Sequence, residues 1–269
     1  EIGARAFEDC EALTEVTLPD TVTSIGKGAF ENTGLISVSL PSSITTLESF
    51  VFNRCTSLTR VNLPSNLKNV LNNMFSGCSA LTDIDIPDGV QSIGSSAFSN
   101  TGLVSIDIPD SVTSIGSHAF QGCEQLKSVN LPENITEISD YTFISCTALD
   151  SITIPDGVTS IGDYAFENCD NLKTITIPAS VTQVGKDTFA FCYNLSDVYF
   201  GGNEEDWEEL MGFYIEYSNH NPFAEGREDA PTVHYNADQP GRDPDGGTES
   251  DGPIQSIPTP VWEEARYPA

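Results

Sequence analysis

Basic residues are scarce in this chain. Its 269 residues hold 11 Lys plus Arg against 40 Asp plus Glu, a formal net charge of −29. A surface this acidic repels nucleic acid and anionic headgroups, so neither is an expected partner. Long apolar runs are also missing. None approaches the ~18–20 residues a membrane helix needs, so no membrane insertion is expected in this segment. Apolar residues make up 38 % of the chain, below the about 45–50 % (counting glycine) of an ordinary globular domain. The nucleophile-elbow, zincin and P-loop signatures are absent, and Ile25-Gly26-Lys27-Gly28 reads as a turn, not a phosphate cradle. Asp243 to Gly247 lacks the third ligand, the glycine and the closing glutamate of a calcium loop. Of the three histidines, His118 falls in a variable turn pair, and His220 and His234 lack metal-ligand spacing. These absences predict no enzyme, no cofactor and no metal centre.

What the chain has instead is a repeat. Leucines stand at 13, 35, 58, 81, 103, 126, 149, 172 and 195, at intervals of 22 or 23 residues. Phenylalanines keep step, from Phe7 and Phe30 through Phe120 to Phe189, as do prolines from Pro19 to Pro178. One unit reads Leu-x-x-Ile-x-Ile-Pro, then an apolar pair, then Gly-x-x-x-Phe-x-x-Cys. In the unit of Leu103 the alternation up to Ile108 predicts a short strand with one buried face. Pro109 ends it, since proline lacks the ladder N–H. Val112 and Ile115 supply a second buried patch, Gly116 permits a bend, and Ser117–Phe120 predicts a short helical or 3₁₀ turn with its ring inward. A single unit cannot bury this face alone; stacked units can. Glu48, Leu71 and Ser139 replace the usual glycine, which reads as tolerated loop variation.

All seven cysteines, Cys10 to Cys192, lie three residues after a repeat phenylalanine. The odd count, the strict register and the lack of any C-x-x-C pair predict a column of small buried hydrophobes, not disulfides or zinc. Such thiols leave the redox compartment open.

Leu103–Ile108, with its period of 22–23, resembles leucine-rich repeats, and Val112–Cys123 and Val158–Cys169 resemble the BspA-like (treponemal-type) subclass. The resemblance covers residues 1 to about 200. It implies an α/β-type leucine-rich repeat solenoid: a parallel sheet of short strands with helical or 3₁₀ turns. The expected organisation is a solenoid over 1–200, a C-terminal capping unit over 201–236 and an acidic Pro/Gly-rich linker and tail over 237–269. Ile2 to Phe7 reads as the second half of a unit, so a chain trimmed at its N-terminal side is expected.

In such a solenoid the x positions of the strand face outward. They form a stripe of small polar residues, with Arg60 and Tyr199 as exceptions. Asp83, Asp85 and Asp107 are expected to cluster on adjacent strands, flanked by Asn62 and Asn130. Like charges about 5 Å apart repel. Either the patch is a solvated polar stripe, or a hard cation relieves it; the lack of a wrapping loop favours the first. These five residues are the candidate binding site. Asp88, Asp110, Glu133 and Asp156 share one turn and read as exposed turn chemistry.

Past Phe200 the period fails. Asn203 is placed to cap a helix through Met211, whose Trp207, Leu210 and Met211 share a face, and Thr232–Tyr235 alternates like a closing strand. An open solenoid end needs such a cover. An uncapped first coil predicts fraying or end-to-end pairing, although a monomer is the default expectation. Asn134-Ile-Thr136 and Asn194-Leu-Ser196 are sequons, relevant in a eukaryotic secretory host. The resemblance implies an extracellular or cell-surface module binding a protein or glycoprotein, adhesin-like. The rival readings are a passive spacer and the targeting arm of a larger secreted protein or enzyme.

Overall fold

The computed structural model describes residues 1–217, Phe223 and 230–236. The linker and tail over 237–269, and His220, lie outside the described residues. The chain winds into a solenoid of parallel strands whose coils stack on one continuous core. Each side of the coil follows from the repeat.

The first side carries the outward stripe. Strands Ser37–Ser39 and Arg60–Asn62 pair in parallel, as do Ser105–Asp107 and Ser128–Asn130. Ser151–Thr153, Thr174–Ile177, Asp197–Phe200 and Thr232–Tyr235 form a third block. Central Val38, Val61, Ile106, Val129 and Ile152 are buried while their neighbours are exposed, the period-two pattern of a half-buried strand. Two expected strands are missing. Glu15–Leu18 and Asp83–Ile86 have no strand assignment. At the second site aspartate is a poor strand former, and Asp85 would face Asp107 across the ladder with Asp83 on the diagonal.

The second side is a row of two-residue strands, from Ser24–Ile25 to Gln183–Val184, which the repeat pattern marks only as a buried patch. It too is interrupted. Ser24–Ile25 pairs with Thr46–Leu47; Asn69–Val70, Ser92–Ile93 and Ser114–Ile115 pair in turn; Glu137–Ile138, Ser160–Ile161 and Gln183–Val184 pair in turn.

The third side corrects the expected helical turns. No helix occurs among the described residues before Glu204. The amide of Ala119 donates to Gly116 O and that of Cys123 to Phe120 O, so the chain makes successive four-residue turns. The third residue of each is left-handed: His118 at φ 61° and Gly122 at φ 67°. That is the signature of type II turns, and the sign change in φ forbids a 3₁₀ helix. Every coil repeats it. The residue two before the repeat Phe and the one two after both have positive φ, from Arg5 and Asp9 to Asp187 and Phe191. A side chain there costs roughly 1–2 kcal/mol. Ladder bonds to the next coil offset it: His118, Phe120 and Gly122 donate to Asp140 O, Thr142 O and Ile144 O.

Inside, nine phenylalanine rings from Phe7 to Phe189 stack with centroids 5.3–5.8 Å apart and planes within 13°. The cysteine column runs beside them. Each thiol from Cys55 to Cys192 donates to a phenylalanine carbonyl of the preceding coil at 3.1–3.2 Å. In the two 22-residue coils Thr33 and Thr101 take the cysteine seat and donate to Phe30 O and Phe98 O at 2.9 Å. Burial pushes these thiols up, Cys123 to about 11 and Cys192 to about 12. Only the thiolate is nucleophilic. A thiol-disulfide probe at pH 8 should therefore label Cys10 alone in the native chain and all seven cysteines after denaturation. A second thiol reacting natively at the rate of Cys10 would contradict the packed column.

A helix and a strand follow the last coil. The helix runs Glu204–Tyr217, a turn and a half beyond the expected Met211. Asn203 Oδ1 accepts from the Asp206 amide and Asp206 Oδ2 from the Asn203 amide, both at 3.1 Å, a reciprocal N-terminal cap. Trp207, Leu210 and Met211 are buried, with the indole 5.3 Å from the Phe200 ring. Thr232–Tyr235 extends the sheet in parallel. His234 stacks on Tyr199 at 4.6 Å. Its Nε2 lies 2.9 Å from Asp197 Oδ1 and must donate, since a carboxylate only accepts. This bond holds the Asp197 carboxyl below the usual aspartate range. At the other end Ile2 bridges to Ile25, and Phe7 remains 37 % exposed.

Candidate binding face

The outward stripe is built by the alternation of each strand: the inward residue enters the core and its neighbours project into solvent. Asn62, Asp83, Asp85, Asp107 and Asn130 are all exposed. The structure gathers only part of this set. Asp83, Asp85, Asp88, Ser105 and Asp107 line one shallow depression of about 250 Å³, floored by Ile84, Ile86, Ile106 and Ile108 and edged by Pro109. The depression lies where the strand ladder is interrupted, between Asp83–Ile86 and Ser105–Asp107.

The two asparagines behave differently. Asn130 Nδ2 donates to Asp107 Oδ1 across the ladder. Asn62 Nδ2 donates to Ser39 Oγ at 2.7 Å, toward the preceding coil and away from Asp85. Among the described residues no cation pairs with Asp83, Asp85 or Asp107, and no group of three or more His, Cys, Asp or Glu is arranged to hold a metal ion. The depression thus offers four carboxylates and a serine hydroxyl, with Pro109 at its edge. Val104, which directly precedes Ser105, is 40 % exposed, and Ile36 in the corresponding place after Leu35 is 49 % exposed.

The sequence places His118 only in a variable turn pair, but the structure makes it half-buried, with its ring stacked on Tyr141, which stacks on Tyr164. The signal was present, since all three stand two residues before a repeat phenylalanine.

Comparison with known proteins agrees with this geometry. The family model of the BspA-type leucine-rich repeat region matches in six copies, over residues 1–127 and 91–211. No curated protein matches the chain. Among solved structures, a leucine-rich repeat protein from Bacteroides ovatus shares 24 % identity, with a TM-score of 0.59 over 83 % of this chain and 71 % of that one. A leucine-rich cell surface protein from Faecalibacterium prausnitzii shares 31 %, with a TM-score of 0.56 over 78 % of this chain and 59 % of that one. The T. pallidum leucine-rich repeat protein shares 26 %, with a TM-score of 0.51 over 76 % and 85 %. Period, phenylalanine stack, cysteine column and family match converge: the chain belongs to the BspA-type leucine-rich repeat proteins.

Proposed function

We propose that this chain is a non-enzymatic binding module displayed on the cell surface or secreted, engaging a protein or glycoprotein ligand in adhesin fashion. The observation that carries the reading is the acidic depression of Asp83, Asp85 and Asp107, set in an outward stripe of small polar side chains and unpaired with any cation among the described residues. A desolvated contact there would be selective, because a buried unpaired carboxylate is costly and a complementary donor removes that cost. The cell-surface protein of F. prausnitzii, which this chain resembles, supports the location. Few Trp, Tyr or Arg side chains lie on the stripe, so affinity per unit area is low and avidity carries much of the binding.

The test is a screen of the purified chain against immobilised fibronectin, fibrinogen, collagen, laminin and mucin at two salt concentrations. Saturable binding is expected, weakened at least about tenfold by Asp83→Lys/Asp85→Lys/Asp107→Lys, as expected for loss of a desolvated charge contact. Silence across the panel removes the adhesin reading. It would favour the passive spacer, which the shortage of hot-spot residues on the stripe supports.

A further inference from the structure

The turn side of the solenoid carries what the stripe lacks. His118, Tyr141 and Tyr164 form a ladder with centroid separations of 4.5 and 4.9 Å and planes within 10°. All three are left-handed, at φ 61°, 59° and 58°. Six other coils fill this seat with Arg5, Gly28, Phe50, Asn73, Ser96 and Asp187. Asparagine, glycine and histidine suit the conformation; tyrosine does not. The ladder is nonetheless half-buried and ordered, with His118 Nδ1 held 2.8 Å from Gln121 Oε1.

Its surroundings are anionic. Asp140 and Asp163 directly precede the two tyrosines and are exposed. Each uses Oδ1 to accept the amide of the next coil, from Asp163 and Lys186, at 2.8 and 2.7 Å. Burial in the stack pushes the Tyr141 hydroxyl up, and Tyr164, Asp163, Asp140 and Glu167 push it the same way. One cation is already seated: Lys186 Nζ lies 5.9 Å from the centroid of the Tyr164 ring. Within the stack the ring faces cover one another, so a cation meets the carboxylates and the tyrosine hydroxyl oxygens, which accept from ammonium and guanidinium groups; the Lys186 side chain bonds Tyr164 in this way.

We propose that the His118–Tyr141–Tyr164 ladder, with Asp140, Asp163 and Glu167, is the docking strip for an arginine- and lysine-bearing segment of a protein partner. This deepens the binding-module reading and rests on it. Lys186 occupies one end of the strip as the chain's own copy of the recognised group. The partner's cations donate to the tyrosine hydroxyl oxygens and to the neighbouring carboxylates along the remainder.

The test uses the full chain and a fluorescein-labelled arginine–glycine peptide, with a glutamate–glycine peptide as control, read by fluorescence anisotropy at low and physiological salt. Tyr141→Asn/Tyr164→Asn preserves net charge and places a residue that Asn73 shows the seat accepts. Binding to the arginine peptide is expected to fall about tenfold, the loss of two charge-assisted hydrogen bonds to tyrosine hydroxyls. Tyr164→Ser is the second variant; Ser96 occupies the same seat in its own coil, and the loss should be about threefold. Asp83→Asn/Asp85→Asn/Asp107→Asn, which removes front-face charge, should change this affinity less than about twofold if the site is local. Unchanged binding in the tyrosine variants, or a larger loss in the front-face variant, overturns the strip. If those variants also keep full matrix-protein binding, the module reading survives that failure. A tenfold peptide loss with no matrix ligand for the wild-type chain upholds the strip and overturns the adhesin reading instead.

Discussion

Phe120→Ala should cost about 3–5 kcal/mol and divide the solenoid's unfolding into two transitions. The ring is fully buried in mid-stack, 5.5 Å from Phe98 and 5.4 Å from Phe143. Its removal leaves a cavity at two coil interfaces. Each coil touches mainly its neighbours, so stability is close to a sum of coil and interface contributions, and a broken interface uncouples the two halves. Relaxation is limited, because the amide of Phe120 donates to Thr142 O and its carbonyl accepts from Cys123 and Cys146, holding the backbone in place. Phe7→Ala provides the contrast. That ring is 37 % exposed and, among the described residues, stacks on Phe30 alone, so its loss should cost about 1 kcal/mol by the area it buries. Urea unfolding followed by tyrosine fluorescence and far-UV circular dichroism reads both. Equal costs for the two substitutions would refute the stack as the source of cohesion.

The same stack shows why so much of this fold was legible. Leu, Phe and Cys each return to one column, and a column of identical apolar side chains has one low-energy arrangement, in register. The cap was legible for a similar reason, since Asn203, Asp206 and the Trp207–Leu210–Met211 face are local signals. The left-handed seats were not. Arg5, Phe50, His118 and Tyr164 have no shared chemistry that favours positive φ; the conformation is imposed by turn bonds and by the next coil. The candidate site was legible to the same depth. Alternation places Asp83, Asp85 and Asp107 on one face, and the structure brings them to one depression. Which neighbour an asparagine chooses is a cross-coil contest. Asn62 turns to Ser39 and Asn130 to Asp107, and no local pattern decides between them.

Gly162→Ala should destabilise the chain by about 1–3 kcal/mol, although glycine here has an ordinary φ. The reason is close approach, not the bend that the sequence suggested for this position of the repeat. A Cβ at residue 162 would lie 2.6 Å from Asp140 N and 2.8 Å from Ser139 C, both backbone atoms of the preceding coil. The same clash recurs at Gly94, Gly116 and Gly185, against Asn72 N, Ser95 N and Asp163 N. The chain has already performed the substitution three times, with Glu48, Leu71 and Ser139. At Leu71 and Ser139 the second strand row breaks, between Leu47 and Asn69 and between Ile115 and Glu137. Glu48 is the exception: its carboxylate accepts the Lys27 amide at 2.8 Å, and the pairing of Ser24–Ile25 with Thr46–Leu47 survives. So these are not indifferent loop changes. Gly162→Ala should open the pairing of Glu137–Ile138 with Ser160–Ile161, and the Gly162 amide, which donates to Ile138 O at 2.8 Å, reports it. Faster amide exchange at residue 162 is the expected readout. Gly89→Ala is the control, since its nearest non-neighbour atom is Ser65 O at 3.5 Å and its φ is ordinary; it should be neutral or stabilising by about 0.4–1 kcal/mol. If both alanines behave alike, coil spacing is not set by these glycines, and the breaks at Leu71 and Ser139 need another cause.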